Sequence, residues 1–243
     1  MDLIPVLDLL DGKVVHGKEG DRDNYKPVES IFAENAEPVT ITKAFKDKLG
    51  LDKFYIADLN SIQGDGDNYS VLKEIADVGD ISIIADLGWS SKDDVDGSVL
   101  EAVDDIIIGT ENLVSMEFIN YILERAGKEN VIVSIDMENG ELLTGIRGLE
   151  GPEEAVERMV NAGVRKVILL DLRRVGSEKG VNTRVETIIE RFPDLEMITG
   201  GGIRDAEDAI KLFEKGFEGL LIATAFHKGA ISREDVERIE DGF

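Results

Sequence analysis

Two aspartates close apolar runs and are followed by the same short pattern. Asp8 stands in VLDLLDGKVV and Asp136 in SIDMENGELL, and each is followed by two residues, an acid or amide, and a glycine. A pair of carboxylates can supply a general acid and a general base when their surroundings push their pKa values apart. Asp8 and Asp136 are therefore candidate catalytic residues. The alternative is that each only caps the turn after its run.

A run of three glycines in TGGGIRDAEDA, residues 199–209, could bind a phosphate through backbone amides. Glycine lets the main chain approach a ligand closely, and the N-terminus of the helix predicted after it favours an anion. The segment IATAFHKG, residues 222–229, can add amides from a short helical turn. The expected phosphate site consists of Gly201, Gly202, Ala223 and Thr224. The alternative is a tight turn that binds no ligand.

The composition limits the partners of this site. The 243 residues include 27 basic and 51 acidic residues, a formal net charge of −24, and no cysteine. A field of this sign repels nucleic acid and anionic membranes, so we expect neither as a partner. No His/acid set has the spacing of a metal site, no cofactor motif is present, and no apolar run is long enough to span a membrane. We expect a cytoplasmic protein, monomeric or a small homo-oligomer, that binds phosphate through oriented amides and needs no metal or cofactor.

Eight apolar runs must position these residues. They are LIPVLD (3–8), KFYIAD (53–58), ISIIAD (81–86), DIIIGT (105–110), VIVSID (131–136), KVILLD (166–171), LEMITG (195–200) and GLLIAT (219–224). Most do not alternate apolar with polar residues, which is typical of parallel strands buried on both faces. Segments with helical periodicity lie between them, for example 152–163, 184–192 and 205–216. This order predicts an α/β fold, a single (β/α)8 TIM barrel over residues 1–243. A doubly wound open sheet is the alternative.

The strand ends repeat in order between the two halves of the chain. The two candidate acids are 128 residues apart, and three later strand ends repeat at offsets of 113 or 114. Four matches in order predict two duplicated half-barrels, about 1–127 and 128–243. The first and fifth strands of an eight-stranded ring lie opposite each other. Asp8 and Asp136 would then face each other across the mouth, where barrel enzymes bind their ligands.

Further charged residues are expected at this mouth. Asp58 and Asp171 end the second and sixth strands, and Arg147 follows the fifth. Lys18 or Arg147 could pair with the candidate acids. Burial of both acids in such ion pairs would favour a non-catalytic protein.

The counterpart of the glycine run in the other half is ADLGWSSKDD, residues 85–94. Asp86 and Leu87 replace two of the three glycines, so that a side chain and a negative charge oppose a second phosphate. Trp89 follows them and is expected to pack within the loop. The sequence therefore favours one phosphate site over two.

These motifs resemble the phosphate-binding barrels of histidine biosynthesis, which comprise the phosphoribosylformimino-aminoimidazole carboxamide ribotide isomerase and the cyclase of imidazole glycerol phosphate synthase. The likeness covers nearly the whole chain, is closer to the isomerase, and is most like a divergent archaeal member. It includes IPVLDLLDGKVV, the following EGDRDNY (19–25), FYIADLNS, TGGGIRDAEDA and IATA. The resemblance implies an Amadori-type rearrangement of an aminoaldose phosphate to an aminoketose. It also implies that Asp8 and Asp136 are the two catalytic aspartates.

The chain departs from this family's pattern around the expected substrate. Leu170 stands where the family has a threonine, Val175 where it has an aspartate, and Leu149 where it has a tryptophan. We therefore expect an isomerase that acts on a small phosphorylated sugar or sugar-amine and is related to the histidine-pathway enzyme. The alternatives are the histidine-pathway isomerase itself, or a non-catalytic phosphate-ligand binder or complex subunit.

Overall fold

Eight parallel strands close into a barrel in the computed structural model, which describes residues 1–17 and 25–243. The strands are β1 (Asp2–Leu10), β2 (Lys13–Val15), β3 (Lys53–Asp58), β4 (Ser82–Asp86), β5 (Asp105–Gly109), β6 (Val131–Glu138), β7 (Glu141–Leu142), β8 (Lys166–Asp171), β9 (Glu196–Gly200) and β10 (Gly219–Ile222). The short strands β2 and β7 pair antiparallel with β1 and β6 and lie outside the ring. The other eight strands form the barrel.

The closure of the ring decides between the two predicted architectures. β1 pairs in parallel with β3 on one side and with β10 on the other, where Asp2 is in register with Gly219. An open sheet would leave β1 or β10 with an unpaired edge, so the doubly wound alternative is wrong. The prediction of an α/β (β/α)8 TIM barrel is confirmed.

Helices connect the strands and cover the outside of the barrel. They are α1 (Pro38–Leu49), α2 (Leu59–Gln63), α3 (Tyr69–Ala76), α4 (Gly97–Leu100), α5 (Met116–Ala126), α6 (Pro152–Ala162), α7 (Thr183–Arg191), α8 (Ala206–Glu214), α9 (Thr224–His227) and α10 (Arg233–Glu240). α8 begins where the sequence predicts, because the Asp205 side chain accepts a hydrogen bond from the Asp208 amide at 2.9 Å. No helix in residues 1–17 or 25–243 has the length and apolar character needed to cross a membrane.

The two faces of each strand pack in different places. On β3, Phe54 and Ile56 pack outward against the helices, whereas Tyr55 and Ala57 point into the barrel. A layer of isoleucines fills the interior, with contributions from Ile4, Ile84, Ile107, Ile132, Ile168 and Ile198. Because this layer fills the barrel, the next inward residues toward the carboxyl ends of the strands face its mouth.

Candidate active site

A cavity of about 230 Å³ opens at the carboxyl ends of the barrel strands. All six residues predicted to act in catalysis or phosphate binding line it, namely Asp8, Asp136, Gly201, Gly202, Ala223 and Thr224. Asp8 lies on β1 and Asp136 on β6, which are opposite strands of the ring. The structure thus brings the two predicted acids and the predicted phosphate residues to one cavity.

Asp136 is a buried carboxyl group held by uncharged donors. The Ser134 hydroxyl donates to Oδ1 at 2.6 Å, and the Glu111 amide donates to Oδ2 at 3.2 Å. The backbone amide of Asp136 donates to the Thr110 hydroxyl oxygen at 2.9 Å. Among the described residues, no Lys or Arg forms an ion pair with Asp136, in contrast to the arrangement expected of a purely structural acid.

The surroundings of Asp136 favour its protonated form. Burial raises the pKa of Asp136 from its ordinary 3.8 to about 7, and the negative charges of Asp86 and Glu111 add to the rise. The hydrogen bonds from Ser134 and the Glu111 amide oppose it. A carboxyl group with a pKa near the working pH can give or take a proton in a reaction.

Asp8 occupies a more open position than Asp136. It is half-buried, whereas Asp136 is only 6% exposed. The backbone of Gly17 passes so close that a Cβ at this position would overlap Oδ2 of Asp8. A Cβ at position 17 would therefore force the Asp8 carboxylate to move. The two acids share a cavity but not an environment, as an acid–base pair requires.

The glycine run forms a tight turn at the end of β9. Gly201 and Gly202 have φ values of 89° and 84°. A Cβ on Gly202 would lie 2.8 Å from the backbone nitrogen of Gly180, whose amide donates to the Gly202 carbonyl at 2.9 Å. These glycines are therefore needed where the loop after β8 packs on the turn, in addition to any close approach of a ligand.

The short helix α9 follows the glycine turn around the ring. Ala223 precedes it, and its first residue, Thr224, faces the cavity. His227, the last residue of α9, is 4% exposed, and its Nδ1 has no hydrogen-bond partner among the described residues. Burial lowers the pKa of His227 to about 4, so that the ring is neutral near pH 7. His227 does not line the cavity.

The predicted mouth residue Asp58 holds a turn and does not line the cavity. It is buried and accepts hydrogen bonds from the backbone amide and the side-chain amide of Asn68, at 2.6 and 2.7 Å. Asn68 in turn accepts from the Gly12 amide at 2.9 Å. Gly12 and Asp11, both with positive φ, form the turn between β1 and β2.

Asp171 has the same task in the other half of the barrel, and it too lies outside the cavity lining. It is buried and accepts from the amides of Asn139 and Gly140 at 3.1 and 2.9 Å, and from the side chain of Asn182 at 2.6 Å. Asn139 and Gly140 form the positive-φ turn between β6 and β7. The third predicted mouth residue, Arg147, is exposed and does not line the cavity. Lys18 and most of EGDRDNY lie outside the described residues.

The end of the cavity at β4 differs from the glycine turn. Oδ1 of Asp86 accepts the Gly88 amide at 3.1 Å, and Oδ2 accepts the Tyr55 hydroxyl at 3.1 Å. Trp89 is buried, as expected, and its ring nitrogen donates to the Tyr69 hydroxyl at 2.9 Å, but it also lines the cavity. The Asp86 carboxylate and the Trp89 ring nitrogen are thus hydrogen-bonded within the chain.

Carboxylates dominate the charge of the cavity. Five acidic residues line it, which are Asp8, Asp86, Glu111, Asp136 and Glu178. Within residues 1–17 and 25–243, no Lys, Arg or His lines it. A bound phosphate would therefore rely on backbone amides in this part of the chain, as the composition predicts.

Sequence reasoning missed two residues that shape the site, namely Ser134 and Tyr55. Ser134 could have been found, because it lies two positions before Asp136 and therefore shares the inward face of a strand. Tyr55 reaches Asp86 on the neighbouring strand, and this contact depends on the register between β3 and β4. No local pattern in the sequence carries that information.

Comparisons with known proteins agree with this architecture. The family model described as "Histidine biosynthesis protein" matches residues 2–232. An uncharacterised protein of Methanocaldococcus jannaschii is 35% identical over 97% of both chains. An imidazole-4-carboxamide isomerase of Caldicellulosiruptor saccharolyticus is 30% identical over 97% of this chain and 98% of its own. An isomerase of the same name from Cenarchaeum symbiosum is 28% identical over 96% and 97%.

The name of these isomerases contains a phosphoribosyl and a phosphoribosylamino group. The match to the family model covers nearly the whole barrel, including both candidate acids and the glycine turn. The chain therefore belongs to the histidine biosynthesis protein family of (β/α)8 barrels.

Proposed function

We propose that the protein is an isomerase that carries out an Amadori-type rearrangement of a phosphorylated aminoaldose, with Asp8 and Asp136 as its acid–base pair. One observation carries the proposal: two carboxylates on opposite strands line one cavity, and one of them has a pKa near 7. The isomerase names of full-length relatives support the same reaction class.

The raised pKa assigns the roles of the two acids. Asp136, which is partly protonated near pH 7, gives its proton to the ring oxygen of the sugar. The bond between this oxygen and C1 then breaks, and the nitrogen lone pair forms a C1=N iminium. Asp8 removes the proton from C2, and the electron pair of that bond forms an enolamine. Return of a proton to C1 and loss of the O2 proton give the aminoketose.

Four residues of the glycine turn and α9 are proposed to hold the phosphate: Gly201, Gly202, Ala223 and Thr224. Two observations support this role. All four residues line the cavity, and Gly201 and Gly202 have positive φ values that only glycine adopts without strain. The phosphoribosyl groups in the relatives' names are consistent with this role.

Two substrates are candidates. The comparisons favour the ribotide of the histidine-pathway isomerase, because relatives of that name cover nearly the whole chain. A smaller, singly phosphorylated sugar or sugar-amine is favoured by Asp86, whose carboxylate accepts the Gly88 amide at the far end of the cavity. Complementation of an isomerase-deficient histidine auxotroph separates them, since growth supports the ribotide and failure supports the smaller substrate.

Substitution of the acid pair tests the reaction class itself. We expect Asp8→Asn and Asp136→Asn each to lower the turnover of the substrate so identified by about 10²- to 10⁴-fold, as removal of a general acid or base does. Asp47→Asn, at an exposed position of α1, is the control with the same change in charge. Unchanged turnover in both acid variants would overturn the proposal and support a non-catalytic phosphate binder.

We also propose that the single domain arose from two half-barrels, about residues 1–127 and 128–243. The support is the pair of matching turns, in which Asp58 and Asn68 hold Gly12 while Asp171 holds Gly140. Such a network involves distant loops, and its recurrence at corresponding places in both halves is hard to attribute to chance.

A further inference from the structure

The turns at the ends of β4 and β9 each place a glycine with positive φ at the cavity, but the surroundings of these two glycines differ. Gly88 and Gly202 both line the cavity, with φ values of 65° and 84°. The residue two positions before Gly202 is Gly200, which has no side chain. The residue two positions before Gly88 is Asp86, whose Oδ1 accepts the Gly88 amide at 3.1 Å. In the turn after β4, the Asp86 carboxylate thus accepts the Gly88 amide, which would otherwise be available to bind an external anion.

The Asp86 carboxylate is held at both oxygens. The Tyr55 hydroxyl donates to Oδ2 at 3.1 Å from inside the barrel. Burial raises the pKa of Tyr55 well above its ordinary value, so the phenol keeps its proton and remains a donor. On β8, the residue three positions before Asp171 is Ile168, as Tyr55 is three positions before Asp58, and Ile168 offers no such donor. The arrangement is therefore specific to the β4 side.

We infer that Asp86 is a specificity-determining residue, which occupies the anion position of the β4 turn and restricts the substrate to one phosphate, bound at the β9 side. This inference rests on the proposed function, because it specifies the substrate of that site. Glu111 lines the same end of the cavity and adds to the repulsion of an anion. The opposite end of the substrate is then a group without negative charge.

The test compares two probes that differ by one phosphate, ribulose monophosphate and ribulose bisphosphate. Their dissociation constants are measured by calorimetry for the wild type and for the double variant Asp86→Gly with Tyr55→Phe. The second change removes the hydroxyl that would otherwise lose its partner in a buried position. Glu111→Gln is the matched control, because it removes one negative charge from the same end without releasing the Gly88 amide.

We expect the wild type to bind the monophosphate more tightly, by about fivefold or more, because the second phosphate meets fixed negative charge. The double variant should shift the ratio of the two constants toward the bisphosphate by about tenfold, and Glu111→Gln by less than about threefold. Tighter binding of the bisphosphate by the wild type would overturn the inference. An equal shift in the double variant and the control would do so as well.

Asp86→Asn is the second variant, in case the double variant does not fold. Asparagine keeps an oxygen for the Gly88 amide and loses the charge, so we expect a shift in the same direction that still exceeds the Glu111→Gln control. If neither sugar binds any of the proteins, the inference falls together with the phosphate site at Gly202. The turnover of the Asp8 and Asp136 variants is measured separately, so failure of the acid pair remains distinguishable.

Discussion

At the scale of single residues, the two candidate acids show how one residue type is placed in two different environments. Asp8 is half-buried beside Gly17, whereas Asp136 is buried near Asp86 and Glu111 and held by Ser134. Burial disfavours the charged form of a carboxyl, and a hydrogen bond to the carboxylate favours it. The balance at Asp136 leaves its pKa at about 7.

Removal of the Ser134 hydroxyl should raise the pKa of Asp136 further. The hydroxyl donates to Oδ1 at 2.6 Å and stabilises the charged form, so Ser134→Ala removes a group that lowers the pKa. Carbon NMR of labelled aspartate side chains measures the midpoint for the wild type and the variant. Ser134→Thr keeps the hydroxyl and should leave the midpoint near that of the wild type. A fall of the midpoint in Ser134→Ala would contradict the assignment.

Asp136 should also make folding less favourable as the pH rises. Its pKa is about 7 in the folded protein, compared with 3.8 for the group in water, so between these values only the folded state holds the proton. The stabilisation is complete below the lower value and is lost as the pH rises through the higher one. The free energy of unfolding of Asp136→Asn minus that of the wild type should therefore increase by about 3 kcal/mol from about pH 5 to pH 8.

Urea unfolding of both proteins across this pH range measures the difference. Because all other titrating groups are shared, their contributions cancel when the wild type is subtracted from the variant. A difference that stays constant with pH would show that Asp136 has similar pKa values in the folded and unfolded states.

The sequence revealed residues that line the cavity because they end strands, but it could not reveal the direction in which each side chain points. Asp8 and Asp136 were found from their repeated context at the ends of strands. Asp58 and Asp171 end strands in the same way, but the structure turns them toward neighbouring turns rather than into the cavity. One residue of difference in position along a strand reverses the face on which a side chain lies.

At the scale of elements, the turn after β9 depends on the loop that packs against it. A Cβ on Gly202 would lie 2.8 Å from the Gly180 nitrogen, whereas a Cβ on Gly180 would meet no atom within 4 Å. Both residues have positive φ, at 84° and 75°, so both alanine variants carry similar backbone strain. Gly202→Ala should therefore cost about 1–3 kcal/mol more than the matched Gly180→Ala.

Chemical denaturation of the two variants gives this difference, and phosphate binding by calorimetry gives its effect on the site. We expect Gly202→Ala to weaken inorganic phosphate and Gly180→Ala to leave it nearly unchanged. Equal stabilities would show that the loop moves away from the turn without cost.

The strands were the most predictable elements. KFYIAD and KVILLD coincide with β3 and β8, because continuous apolar runs are the direct sequence sign of strands buried on both faces. The hairpin strands β2 and β7 were not predicted, since three and two residues are too few to establish a period. The turns of these hairpins are easier to recognise in the sequence, as the dipeptides Asp11-Gly12 and Asn139-Gly140.

At the scale of the whole molecule, charge is the dominant feature. A net charge of −24 on one closed barrel produces repulsion that the unfolded chain relieves by expanding. Screening should therefore stabilise the fold, and we expect the free energy of unfolding to rise between about 0.05 and 1 M salt. Urea titrations in NaCl and KCl measure it, and the two salts should give the same rise. A fall with salt would indicate that attractive ion pairs outweigh the repulsion.

The paired turns that Asp58 and Asp171 hold have a consequence for motion at the mouth. Hairpin tips usually exchange their amide hydrogens with solvent quickly, because little protects them. Here the Gly12 amide donates to Asn68 and the Gly140 amide to a buried Asp171 carboxylate. Hydrogen exchange at these two tips should then require the loops to open as units. We therefore expect these two turns, one beside each candidate acid, to be rigid before any substrate binds.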